Sequence, residues 1–198
     1  MPLNPDSLPV VKISRRGADR IRAGHVWVYR SDILDAKDIQ PGALVLVEEI
    51  PDKNVRATRP VPEKNVRGTT KGRILGSALY STASQIALRM ISPHPVSDLQ
   101  KLLRERIQNA ISYRERFVEN TNAYRVIFSE GDFLPGLIVD RYNDILTMQV
   151  LTQAMDVDSV REVVVSELKE ELQPAAIVEK VDARVRFSPI APRTAEVK

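Results

Sequence analysis

FSEGDFLPGLIVDRYND, residues 128–144, holds glycines at 131 and 136, a Pro135-Gly136 pair, an apolar burst and the carboxylates Glu130, Asp132, Asp140 and Asp144. Three structures compete for it: a phosphate-binding loop, a carboxylate dyad, and a turn feeding a buried strand. A phosphate loop needs consecutive backbone N–H donors followed by Lys and Ser/Thr. Leu137 and Ile138 stand in those two places, and Pro135 removes a donor. Two carboxylates run hydrolysis only when they flank one site in unequal environments. Asp144 beside Asn143 suits a turn, and strand alternation sends Asp140 and Ile138 one way, Val139 and Arg141 the other. The stretch therefore reads as a turn at Gly131-Asp132, a Pro-Gly corner and a buried strand over 136–142. Asn143-Asp144 makes a tight hairpin into a second strand over 144–151.

Working outward, AYRVIF (123–128) is a further strand, and AAIVEKV (175–181) closes the sheet. Between them, Ser159-Val-Arg-Glu162 has capping-box spacing, and Val157, Val160, Val164, Leu168 and Leu172 continue one helical face. Upstream, residues 97–119 open with Ser97 as N-cap and repeat apolar residues at Leu99, Leu103, Ile107, Ala110, Ile111, Phe117 and Val118, which predicts a long amphipathic helix. Pro93-His94-Pro95 favours an extended linker. The spacing thus predicts a central α/β domain over 97–182, of strand-helix-strand type, with a core separate from that of residues 1–92.

The first half alternates short β-rich runs with turn signals: VVKI (10–13), HVWVY (25–29), ALVLV (43–47), RILGSALY (73–80) and IALRMI (86–91). Five such strands predict a small β-barrel, with a short helix over 15–24 ended by Gly24. Inside HVWVY, alternation predicts Trp27 in the barrel core. PDKNVRAT (51–58) returns as PEKNVRGT (62–69), a polar, basic loop insertion over 51–71 with too few copies for a solenoid.

Cysteine is absent, which excludes disulfides, thiolate metal sites and cysteine nucleophiles. His25 and His94 are the only histidines, so a metal site is not expected. No apolar run has signal-peptide or membrane-span length, and a soluble, cytoplasmic protein with no membrane contact is expected. Charge is uneven. Residues 1–95 hold 15 Lys+Arg against 9 Asp+Glu, whereas residues 96–198 hold 14 against 17. A basic first half can face a polyanion or be an ordinary solvated surface.

GDFLPGLIVDRYND resembles the central segment of a family of RNA cytosine-5 methyltransferases that act on large-subunit ribosomal RNA. Asp132, Leu134, Pro135, Gly136, Asp140 and Tyr142 carry that likeness. RRGADRIRAGHVWVYRSDI (15–33) is similar to the family's N-terminal PUA domain, GRILGSALYSTASQIALRMIS (72–92) to its closing strands, and IVEKVDARVR (177–186) to the lead-in to its cofactor domain. The 51–71 insertion departs from the pattern. The resemblance implies an α+β chain with a PUA-like barrel over 1–92 and the central domain over 97–182; FSPIAPRTAEVK (187–198), with two prolines and no periodicity, makes the tail over 183–198 read as irregular.

The resemblance also implies S-adenosylmethionine as cofactor, held in a Rossmann-like domain. The glycines stand at 17, 24, 42, 68, 72, 76, 131 and 136, no two of them two apart, so no G-x-G turn exists. Methylation at cytosine carbon 5 needs a thiolate added at carbon 6. The expectation is therefore the RNA-recognition portion of such an enzyme, a truncated or degenerate relative with the Rossmann-like domain absent, no cofactor in this chain and no activity alone. RNA, ribosomal on the resemblance, is the expected partner, and a homodimer stays open. Arg15, Arg16, Arg20, Arg22 and His25 are the candidate contacts in the first domain, joined by Lys53, Arg56, Lys64 and Arg67 of the insertion. Replacing those four helix arginines is expected to weaken RNA binding at under about 0.5 kcal/mol each in stability. A stand-alone PUA-type RNA-binding adaptor and a protein-interaction module are the alternatives.

Overall fold

The computed structural model describes residues 7–50 and 72–181; the insertion over 51–71 and the tail from 182 lie outside the described residues. Two sheets build the protein. The first has six strands, β1 (Val10–Ile13), β2 (Trp27–Tyr29), β3 (Ile33–Asp35), β4 (Leu44–Glu49), β5 (Arg73–Tyr80) and β6 (Ile86–Ser92), in the order β2-β6-β5-β4-β1-β3. Every pairing is antiparallel except β1 with β4. The sequence predicts five of these strands; β3, three residues long, is too short to show a period. Helix α1 (Arg15–Arg22) follows β1 directly, with Ser14 as its N-cap.

The second sheet runs β10-β9-β8-β7, from β7 (Ala123–Phe128), β8 (Leu137–Tyr142), β9 (Ile145–Val150) and β10 (Ala176–Glu179). β7, β8 and β9 form an antiparallel meander, and β10 lies parallel to β9 after the crossover helix α3 (Asp158–Leu172). The quoted stretch supplies its centre. Leu137 and Val139 face inward and Tyr142 turns back opposite Ile145, with Asn143 in the left-handed conformation (φ 58) that the tight turn requires. α2 (Leu99–Phe117) buries Leu103, Ile107, Ala110 and Ile111, and α3 buries Val160, Val163, Val164 and Leu168, in one cluster with Val126, Ile127, Leu146 and Met148.

Two helix starts differ from the sequence reading. Asp98, not Ser97, caps α2, accepting from the Lys101 N–H at 2.9 Å. α3 begins before Ser159, with Val157 at the N-cap position and no side-chain cap bond, so the Ser159–Glu162 capping box does not form.

The expectation of two separate cores is corrected by the packing. A smaller cluster holds Val11, Ile13, Ala18, Val28, Val45, Val47, Ala78, Tyr80 and Leu88. The larger cluster, centred on the second sheet, also takes Leu8, Leu44, Leu46, Leu79, Ile91 and Val96 from the first half. The physical reason is alternation along β4 and β5: Val45 and Val47 point to one side and Leu44 and Leu46 to the other. The first sheet is therefore apolar on both faces, and its second face needs a cover. The second half provides it. Polar contacts pin the junction: Gln153 Oε1 accepts from the Ser81 hydroxyl at 3.0 Å and from the Thr82 N–H at 2.8 Å, and Ser77 Oγ accepts from the Val96 N–H at 2.9 Å.

Candidate nucleic-acid interface

α1 lies close to the 3-10 turn Arg30–Asp32 because its inner residues are small: Gly17 and Ala18 are buried there. Beneath it Asp32 is 1% exposed. Its carboxylate accepts from Ser14 Oγ at 3.0 Å, from Arg16 Nε at 2.8 Å and from an Arg20 guanidinium N–H at 3.2 Å. A buried charge needs partners, and here two arginines supply them from above. Arg16 places a further N–H on Ser31 Oγ at 3.1 Å. A guanidinium has five N–H groups, so both arginines keep donors for solvent or ligand while Asp32 fixes their orientation.

Arg15, Arg16, Asp19, Arg20, Ala23 and His25 line a shallow depression of about 490 Å³. Of the sequence-derived contacts, the structure thus brings Arg15, Arg16, Arg20 and His25 together. Arg22 does not line the depression; it bonds Asp19 at 2.8 Å and also Glu49. The Glu49 hydrogen bond holds its guanidinium above the ordinary arginine range. Lys53, Arg56, Lys64 and Arg67 lie outside the described residues. Asp32 is hidden from sequence reasoning because an acidic residue in a loop reads as solvated. Arg16 and Arg20 are correspondingly not mere surface charges, and alanine there leaves a buried carboxylate short of partners.

Trp27 requires a second correction. It is 38% exposed, not in the core. The alternation of β2 is phased on Val28, which is fully buried, so Trp27 and Tyr29 both face out. The indole N–H donates to Glu130 Oε1 at 3.2 Å, joining β2 to the turn Ser129–Asp132 of the quoted stretch. Arg89, opposite Trp27 across the β2–β6 pair, reaches the same oxygen at 3.4 Å. Burial pushes the Arg89 guanidinium down from its usual value, with Glu130 opposing. Arg106 of α2 donates to the Phe133 carbonyl at 2.5 Å and to the Ile91 carbonyl. Desolvation lowers it to about 10, so it stays charged at neutral pH.

The motif residues of the quoted stretch hold the turn. Asp132 takes a bidentate pair from Arg114 at 2.5 and 2.8 Å and the Phe128 N–H at 2.6 Å. Asp140 pairs with Arg125 across β7–β8 at 2.7 and 3.1 Å. Leu134 is fully buried, Pro135 is buried with its carbonyl on the Thr152 hydroxyl, and Tyr142 is exposed at the end of β8. Gly136 has φ +85, and a Cβ there would lie 2.3 Å from the Thr152 side chain. Its N–H donates to Ser129 Oγ at 2.8 Å. The turn's donors thus point into packed protein, and these residues do not fit a nucleotide or S-adenosylmethionine cradle. Among the described residues no group of three or more His, Asp or Glu could hold a metal, and no helix is long and apolar enough to cross a membrane.

Residues 11–58 match the family model of a PUA-like domain. Among the described residues, the matched span runs from β1 to β4 of the first sheet. The chain is 34% identical over 118 residues to a ribosomal RNA large subunit methyltransferase I of Shewanella amazonensis, covering 58% of this chain and 29% of that protein. It is 28% identical over 152 residues to a ribosomal RNA large subunit methyltransferase of Deinococcus radiodurans, covering 73% and 32%. The chain thus spans about a third of the length of these curated relatives. Among solved structures, a candidate SAM-dependent methyltransferase from Streptococcus mutans matches with a TM-score of 0.67 at 17% identity, covering 93% of this chain and 44% of the other. A candidate methyltransferase complexed with SAH matches at 0.69 and 16%, covering 90% and 41%. At that identity the likeness is one of fold.

Proposed function

We propose that this chain is the RNA-recognition portion of an S-adenosylmethionine-dependent ribosomal RNA methyltransferase, acting in the cytoplasm, with α1 and the depression beside it as its contact with the RNA backbone. The observation that carries the reading is the arginine set of a PUA-like domain, oriented over the buried Asp32. Structured RNA is recognised largely through shape, phosphates and ribose hydroxyls, and guanidinium groups held in place bind phosphate with less ordering cost than mobile ones. The relatives' names favour large-subunit ribosomal RNA as the target.

The finer reading is methylation of cytosine at carbon 5. That reaction needs a thiolate at carbon 6 and a bound methyl donor. The 198 residues contain no Cys and no G-x-G turn, and neither the thiolate nor the methyl-donor site is assigned to them. What they contribute is binding and orientation of the RNA. Calorimetry with S-adenosylmethionine is expected to show no heat of binding, and saturable micromolar binding would contradict the assignment. Anisotropy of a labelled, folded large-subunit RNA fragment at about 0.05 M salt is expected to show saturable binding. No RNA binding at that salt would leave the protein-interaction module as the better reading.

A further inference from the structure

We propose that Trp27 and Phe133, with Arg89 and Arg106 beside them, form a binding site for an unpaired stretch of RNA at the seam between the first sheet and the turn after β7. The proposal rests on the RNA reading above and deepens it by naming the kind of RNA segment. Trp27 and its neighbour Tyr29 present their rings on the outer side of β2, and Arg20 lies 5.3 Å from the Tyr29 ring centre. Glu130 holds the indole N–H, which orients the Trp27 ring, and the residue stays 38% exposed.

Phe133 follows Glu130 by three residues and is 61% exposed. Its backbone is left-handed, φ 57. A bulky residue at positive φ is strained, and an aromatic ring in water forgoes burial, so the position is unfavourable on two counts for folding alone. Asn or Gly would suit that backbone better. The guanidinium of Arg106 lies 5.6 Å from the Phe133 ring centre. Arg106 bonds two carbonyls and, among the described residues, has no carboxylate within ion-pair distance. Arg89 faces Glu130 as an ion pair through its buried Nε at 3.4 Å, so it holds the carboxylate that orients the Trp27 indole. A cation without a carboxylate partner, Arg106, beside exposed rings matches a phosphate flanked by base faces. A duplex hides its base faces, so the occupant is unpaired. Arg20 both lines the α1 depression and lies over the Tyr29 ring, so the depression and the outer side of β2 share a residue.

The chain has a single Trp, so its emission reports on this site directly. The protein is titrated with an unstructured RNA strand of about ten nucleotides and, separately, with a hairpin duplex, while anisotropy of the labelled RNA records binding. Saturable quenching by the single strand and none by the duplex is expected. Phe133→Asn removes the ring but suits the left-handed backbone. It should weaken single-strand binding about fivefold or more, leave duplex binding unchanged, and keep or raise the melting temperature. Single-strand binding with unchanged emission, or full affinity in Phe133→Asn, overturns the site and leaves the α1 reading standing. Duplex binding without single-strand binding does the same. If neither RNA binds, the RNA reading fails and the site fails with it.

Discussion

Asp32 sits under α1 with its carboxylate shared by Ser14, Arg16 and Arg20, so its replacement strips three partners of their acceptor. Both arginines are substantially exposed, and solvent screens their charge. Asp32→Ala is therefore expected to cost about 2 kcal/mol, measured by urea unfolding; a cost below about 0.5 kcal/mol would contradict the anchoring role. Gly136 gives a sharper test. Its positive φ and the Thr152 side chain 2.3 Å from any added Cβ leave no room for alanine. Gly136→Ala should destabilise by more than about 2 kcal/mol, and a neutral result would refute this turn geometry. At this scale the sequence is partly legible. The Pro-Gly corner and the Asn143 turn follow from local chemistry, whereas the roles of Asp32 and Glu130 depend on partners 12 and 103 residues away.

α3 starts without a side-chain cap, because Val157 stands where Ser, Thr, Asp or Asn would bond a free N–H. Val157→Thr keeps the shape and adds a hydroxyl, so a gain of about 0.5 kcal/mol is expected in thermal unfolding. A loss would show that the Val157 methyl packed near Gly42 matters more than the cap. Element types are largely legible from periodicity: strands over 10–13, 123–128 and 136–142 and a long helix after 97 all occur within about two residues of their predicted bounds. For β2 the sequence shows the strand but not its phase. Three residues, WVY, suit either phase, and only the pairing with β6 sets Val28 inward. The RNA seam is invisible in the sequence for that reason, since it depends on Trp27 facing out.

At the scale of the whole molecule, the core that crosses Pro93-His94-Pro95 sets how the protein unfolds. Leu44, Leu46 and Leu79 of the first sheet pack with α2 and the second sheet, so the halves are expected to lose structure together. Trp27 emission reports on the first half and far-ultraviolet circular dichroism chiefly on α2 and α3. Their urea midpoints should coincide, and separated midpoints would restore two independent cores. A continuous apolar run such as LVLV cannot disclose that it serves two cores, which is why the sequence suggests a self-contained barrel. The arginine face is the proposed contact with RNA. Its most direct test is the dependence of RNA affinity on salt in a double variant, Arg15→Gln with Arg16→Gln, in which the new amide at position 16 can still donate to Asp32. The control is Lys101→Gln with Lys169→Gln on the second-half helices. The arginine pair should lower the slope of log K against log salt by between about one and two, with the control unchanged; an unaltered slope in the arginine variant, or equal losses in both, would contradict the account.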